Sequence, residues 1–348
     1  MRTTCTAIVG TGGIGTGLFY RLEGNHAIGR EESRRAHRLQ RRDACKQHIV
    51  LHYLATLLRD LGCPVTVTPV GAVGDDEHGR TLCGEMAAAG MNVEHVRRLP
   101  RAATLSAVCF VFPDGSGGNF TEAESACERV TPTMIDRAWR ALRPPRERTM
   151  VLAAPEVPLA ARRRLLQHGR AVKAFNAASL VTAEVAPAVR QGFLDFVDLL
   201  ALNRDEAAAL ARMSAAANAR AIVDACARRL VRRHPRVRLT VTAGPDGAFG
   251  VCGGDVRHLP AIPAKIVNTA GAGDAFLSGI MLGQILGWPF VAGDVTCLHL
   301  GCALGSLKVT GQDTIHTGID LASLRRFLRQ RRQNALEHAL QPEPAGRP

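Results

Sequence analysis

Between residues 6 and 242, short apolar runs suited to extended chain alternate with longer stretches whose apolar residues recur at helical spacing. Strand character falls on 6–10, 65–70, 106–112, 149–153, 172–176, 197–202 and 239–242. Helical periodicity falls on 43–61, 77–89, 132–142, a basic stretch from Leu159, 205–213 and 217–233. In the first of these, Ile49, Leu51, Leu54, Leu57, Leu58 and Leu61 share one face and Gly62 follows as a stop. Parallel strands need a crossover, usually a helix. Repeated β-α units therefore predict an α/β fold with a central, mostly parallel sheet and helices on both faces. Ligands of such sheets bind beyond the carboxyl ends of the strands.

Composition excludes several classes of function. Apolar residues make up 46% and charged residues 22%, ordinary for a globular protein. No apolar run reaches the roughly 18 residues of a membrane span, and residues 1–9 lack the apolar centre of a signal peptide. The ten cysteines include no C-x-x-C pair and read as reduced thiols of a cytoplasmic protein. The net charge of +13 comes from arginines clustered around 30–42, 138–148, 161–170, 227–238 and 325–332. With only 4% aromatics, platforms for stacking bases are scarce. The clusters read as solvated helix faces, so neither a nucleic-acid nor a membrane partner is expected.

Two glycine-rich segments compete for attention. Gly10, Gly12 and Gly15 spell Gly-x-Gly-x-x-Gly after the first strand. A dinucleotide fingerprint would need a helix at once and then a strand ending in an acid. Glu31 and Glu32 stand at a suitable distance, but in Arg-Glu-Glu-Ser-Arg-Arg, which has no β character. The second segment, 268–276, reads Asn-Thr-Ala-Gly-Ala-Gly-Asp-Ala-Phe and leads from a strand-like stretch at 264–267 into a helix. Backbone N–H groups at a glycine-rich helix start, with the helix dipole behind them, form an anion site. Gly271 and Gly273 allow the close approach. Asp274 would repel a phosphate there unless it takes a proton from an attacking hydroxyl. The alternative is an acid favoured only by the dipole.

Segment 268–274 resembles the C-terminal signature of the PfkB/ribokinase family of sugar and nucleoside kinases, usually Asp-Thr-x-Gly-Ala-Gly-Asp, with Asn268 replacing the first Asp. Residues 70–79, Val-Gly-Ala-Val-Gly-Asp-Asp-Glu-His-Gly, are similar to a structural element of that family. Asn203 and Glu206 match its Asn-x-x-Glu motif, which implies a place beside the nucleotide phosphates with Glu206 organising magnesium. On bare sequence they read first as a near capping box, Asn203 as cap and Glu206 at the third helical position. Residues 241–248 resemble its Val-Thr-x-Gly-x-x-Gly turn, which implies that Thr242, Gly244 and Gly247 lie along the nucleotide. Residues 302–310 are similar to its late helix near the adenine.

The resemblance implies a ribokinase-like domain over 1–332 with a small β lid, from segments about 12–45 and 100–125; the composition of 333–348 predicts a disordered tail. It implies ATP-dependent transfer of the γ-phosphoryl group to a sugar or polyol. Asp274 is then the base, and the N–H groups of Gly271, Ala272 and Gly273 form the anion hole. ATP and Mg²⁺ are implied, and a monovalent cation near 268–270, although Asn268 departs from the family there. A homodimer through the lid is also implied. The family's N-terminal glycine-glycine-Asn element has no counterpart: counting back from Gly62 reaches Tyr53, Val50 and Ile49. Asn25, Glu31, Asp43 and Asn119 are the polar lid residues that could hold the acceptor. A nucleoside kinase and a non-catalytic nucleotide- or metabolite-binding module are the alternatives. His48 and His52, at i and i+4, lack a third ligand for a metal.

Overall fold

The computed structural model describes residues 3–341. The chain opens with β1 (Ala7–Thr11), β2 (Gly15–Leu22), β3 (Ala36–Leu39), α1 (Lys46–Asp60), β4 (Thr66–Gly74), α2 (Glu77–Ala88) and β5 (Val96–Leu99). It continues through β6 (Leu105–Val111), β7 (Gly117–Thr121), α3 (Pro132–Leu142), β8 (Thr149–Ala153), α4 (Leu159–Ala171), β9 (Phe175–Ser179) and α5 (Thr182–Arg190). Next come β10 (Leu199–Asn203), α6 (Arg204–Ala211), α7 (Ala219–Arg233), β11 (Arg238–Thr242), β12 (Ala248–Cys252) and β13 (Asp255–Leu259). The last elements are α8 (Ala272–Ile285), α9 (Cys297–Lys308), α10 (Leu321–Gln330) and α11 (Asn334–Ala339).

Nine strands form the main sheet in the order β13-β12-β11-β10-β9-β8-β1-β4-β5. From β5 to β11 every neighbouring pair is parallel, and β12 alone is reversed, pairing antiparallel with both β11 and β13. Central strands such as β8, Thr-Met-Val-Leu-Ala, are buried along their whole length, as expected of strands covered on both faces. One face packs on α1, α2, α8 and α9 through residues such as Leu54, Met86, Ile280 and Leu304. The other packs on α3, α4, α6 and α7 through Trp139, Leu165, Leu210 and Ile222.

A second sheet, ordered β3-β2-β6-β7, forms the expected lid. Phe19, Ala107 and Cys109 make its inner apolar face, and Ala270 of the glycine turn packs against them. The lid therefore closes over the start of α8. Its outer face carries Leu18, Val108 and Phe120 in one register row across β2, β6 and β7, with Phe120 62% exposed.

Three expectations are corrected. Residues 264–267 form no strand, because the Val267 and Asn268 N–H groups both donate to Val309 O at the end of α9. The segment 333–348 is not all tail: α11 forms at 334–339 and buries Leu336, while 342–348 lie outside the described residues. Nor are all the arginine clusters solvated. Arg162 is wholly buried, donating to both Glu184 carboxylate oxygens at 2.8 Å and to Ser179 O. The Gly10-Gly12-Gly15 run leads into β2 rather than a helix, so the dinucleotide fingerprint lacks its essential element.

Candidate active site

The glycine turn at 268–273 and the first turn of α8 form one wall. Gly271, the residue before α8, has φ +78°, a left-handed conformation that costs glycine little. A Cβ there would come within 2.5 Å of Thr314 O. The first N–H groups of a helix have no intrahelical acceptor. Ala272 N–H turns back to Thr269 O at 3.1 Å, whereas those of Gly271, Gly273 and Asp274 have no partner among the described residues. Of the three amides expected to form the cradle, that of Ala272 is thus engaged in the turn, while the Asp274 amide is without a partner beside those of Gly271 and Gly273.

Asp274 is half-buried at the lip of this cradle. Burial pushes its carboxyl above the ordinary aspartate range, and the charges of Lys46 and Lys308 oppose that rise. Lys46, the first residue of α1, places Nζ 3.7 Å from Glu206 Oε1. Burial alone would lower its pKa, but the carboxylates of Asp274, Glu206 and Glu156 outweigh burial and raise it. Counting back from Gly62 looked inside α1 and missed its first residue. The signal was available, as a lysine directly before an apolar helical stretch.

Glu156, just beyond β8, is a second residue that sequence reasoning missed. Its φ is +74°, uncommon for a residue with a Cβ and frequent at functional sites. Its Oε2 accepts from Lys46 N–H at 3.3 Å. Burial lifts its pKa to about 7, with Lys46 acting against it. No sequence signal announced it, since φ is set by the fold.

The four lid candidates separate. Asp43 accepts from Cys109 Sγ of the lid at 3.4 Å. Burial is the largest influence raising its carboxyl pKa, and the Asp274 charge adds to it. Asn119 faces Cys109 in the β6–β7 register and so shares its face, but is exposed and donates to Thr121 Oγ1 at 2.8 Å. Asn25 is exposed at the lid tip, where Nδ2 donates to Asp114 Oδ2 at 2.9 Å. Glu31 is exposed in the turn between β2 and β3. The structure brings Asp43 to the Asp274 cluster and holds Asn25 and Glu31 at the outer turns. At the β2–β3 side of the lid, a cavity of about 430 Å³ is lined by Gly17, Leu18, Leu39, Arg41, Arg42 and Asp313, though not by Asp274 itself.

On the opposite side, Asn203 and Glu206 form a reciprocal cap at the start of α6. Asn203 Oδ1 accepts from Glu206 N–H at 2.9 Å, and Glu206 Oε2 accepts from Asn203 N–H at 2.8 Å. Glu206 Oε1 accepts from Asn203 Nδ2 at 3.0 Å and also lies 3.7 Å from Lys46 Nζ, so capping and proximity to Lys46 coexist. Burial raises the Glu206 pKa and Lys46 opposes it. Thr242 ends β11 with its Oγ1 beside Gly273. Gly244 and Gly247 turn the chain between β11 and β12 at φ +59° and +91°. In α1 His48 is buried and His52 half-buried, and the described residues hold no cluster of three metal-ligating side chains.

A family model for pfkB family carbohydrate kinases matches residues 51–320. The chain belongs to that family. A ribokinase of Lactococcus lactis subsp. lactis is 24% identical over 224 residues, which are 63% of this chain and 66% of the relative. An acarbose 7(IV)-phosphotransferase of an Actinoplanes species is 38% identical over 109 residues, 30% of this chain and 35% of the relative. The chain thus spans less than two thirds of the length of these two relatives. The fold is that of ribokinases. The ribokinase of Cryptococcus neoformans var. grubii, solved with ADP, superposes with a TM-score of 0.75 at 19% identity, covering 92% of this chain and 99% of that one. The nucleoside kinase of Burkholderia thailandensis, solved with inosine, gives 0.69 at 18% identity, covering 93% and 97%. No described helix is long and apolar enough to cross a membrane.

Proposed function

We propose that this pfkB family chain transfers the γ-phosphoryl group of ATP to a hydroxyl of a sugar or related polyol. One observation carries the reading: a half-buried carboxylate, Asp274, sits in the same helix turn as three unpartnered N–H groups, under the lid. Asp274 takes the hydroxyl proton as the acceptor oxygen bonds to the γ-phosphorus. The bond to the bridging oxygen breaks, and ADP leaves with the electron pair. The N–H groups of Gly271 and Gly273 meet the charge on the equatorial oxygens, so positioning and electrostatics supply most of the acceleration.

Glu206 and Asn203 suit Mg²⁺, which is commonly held by one or two carboxylates together with substrate phosphates. When bound it would neutralise phosphate charge. Thr242, Gly244 and Gly247 border the same edge and are assigned to the nucleotide. Asp43 and Glu156 are assigned to acceptor hydroxyls. Buried acceptors of this kind discriminate strongly, since a missing substrate hydroxyl leaves them unpaired. Asn25 and Glu31 would reach an acceptor only if the lid turns rearranged, whereas Asn119 shares the Cys109 face of the lid and is assigned to the acceptor. A monovalent cation does not fit the 268–270 turn as built, because Lys308 Nζ already donates to Asn268 O at 3.0 Å.

The exposed Leu18–Val108–Phe120 row favours a homodimer in which two lids cover each other's outer faces. All ten cysteines are free, which suits a cytoplasmic protein. The deciding experiment is ATP turnover against a panel of sugars, polyols and nucleosides. Phosphorylation of a sugar or polyol supports the reading, and transfer only to nucleosides replaces it. ATP binding with no transfer to any acceptor would favour the non-catalytic module.

A further inference from the structure

We infer that the side chain of Lys308 is a built-in cation for the 268–271 turn, so that this chain works without an added monovalent metal ion. The inference rests on the phosphotransferase reading above. Lys308 is the last residue of α9, and its side chain is entirely buried. Its Nζ donates to Asn268 O at 3.0 Å. The Val267 and Asn268 N–H groups donate to Val309 O at 2.8 and 3.1 Å, which ties the turn to the end of the same helix.

The side chain at 268 is equally committed. Asn268 Nδ2 donates to Gln312 O at 2.8 Å, and Asn268 Oδ1 accepts from Ala270 N–H at 3.1 Å. A metal ion in this turn would need several free oxygens and a compensating negative charge. Here the backbone oxygen faces an ammonium, the side-chain oxygen is occupied, and residue 268 carries an amide rather than a carboxylate. A second cation would also meet the positive charge of Lys308, with Arg41 Nη2 on Val267 O at 3.1 Å. The ammonium can do part of what a bound cation would do: hold the Asn268 carbonyl and so steady the turn that leads to Gly271. Its charge also acts on Asp274. Lys308 is thus a positioning residue for the cradle.

The test uses the full chain at pH 7 in tetramethylammonium chloride and in KCl at equal ionic strength, reading melting temperature, ATP affinity and turnover with the best acceptor. Wild type should be the same in both salts within about twofold, because no vacant site exists for K⁺ to stabilise by mass action. Lys308→Ala should lose about tenfold or more in turnover without K⁺, the cost of a displaced cradle. KCl, NH₄Cl or methylammonium chloride should recover most of that loss. Wild-type activation of about fivefold or more by K⁺, or a Lys308→Ala deficit that no small cation repairs, would overturn the inference. If Lys308→Ala does not fold, the wild-type comparison decides alone: equality upholds the inference and activation sinks it. Loss of the phosphotransferase reading is recognised separately, as ATP binding and melting that are measurable in both salts with no acceptor ever phosphorylated.

Discussion

Lys46 Nζ stands 3.7 Å from Glu206 Oε1, which joins the first residue of α1 to the first turn of α6 across the site. Its charge also holds down the pKa of Asp274 against burial. With Lys46→Met that opposition disappears, and the Asp274 pKa rises further. A base must be ionised to act, so activity on the acid side is lost at higher pH than in wild type. The acid limb of kcat/KM should move up by about one pH unit or more, the usual effect of a neighbouring opposite charge. Lys46→Arg should keep the limb near its original place. A pH-rate profile unchanged in Lys46→Met removes Lys46 from this role.

Asp274→Asn keeps the shape of the side chain and removes the base. Turnover should fall by about 10²–10⁴, the ordinary worth of a positioned general base. ATP affinity, read by calorimetry, should change by no more than about threefold, because the unpartnered N–H groups of Gly271 and Gly273 remain. Turnover near wild type would exclude Asp274 as the base.

The alternation of strands and helices was legible because both signals are local. Residues 132–142 and 149–153 form α3 and β8 over the expected spans. The lid strands were harder. β3 is Ala-His-Arg-Leu and β7 is Gly-Gly-Asn-Phe-Thr, largely exposed segments whose strand state comes from partners distant in sequence. At 264–267 the opposite happened: residues with strand character found no neighbouring strand and bonded to Val309 instead. Asp274 and its glycines were legible because the motif is contiguous. Glu156 was not, since it lies 110 positions from Lys46 and the two meet only where the end of β8 and the start of α1 share one edge of the sheet.

Gly271 and Gly244 offer a matched pair of alanine substitutions. Both have positive φ, so alanine costs about 1–2 kcal/mol at either. At Gly244 a Cβ meets open space, whereas at Gly271 it meets Thr314 O at 2.5 Å. Gly271→Ala should therefore lower the melting temperature more than Gly244→Ala, and should lose about tenfold or more in turnover as the cradle shifts. A folded Gly271→Ala chain with turnover near wild type would show that the turn before α8 is not the cradle.

Phe120 is 62% exposed at the outer end of the Leu18–Val108–Phe120 row. An apolar row across three strands is unfavourable in water and is relieved by a second copy of the same surface. Phe120→Asp places a charge there without touching the buried inner face of the lid. Light scattering after gel filtration should give a dimer for wild type and a monomer for Phe120→Asp, with ATP affinity retained. A monomeric wild type at working concentration refutes the lid-to-lid pairing.

Lys308 links the built-in cation to pH. Burial lowers its pKa from the usual lysine range to about 8; Arg41 adds to that, while Asp274, Asp313 and Asp43 act the other way. Below about 8 the ammonium is charged and holds the turn through Asn268 O. As pH rises through that value the proton leaves, and the turn loses its positive charge. Without metal cations, turnover should fall on the alkaline side with a midpoint near 8, and KCl should restore part of it there but not at pH 7. In Lys308→Met the alkaline limb should disappear, because no proton remains to be lost. An alkaline limb that persists in Lys308→Met would assign it to another group.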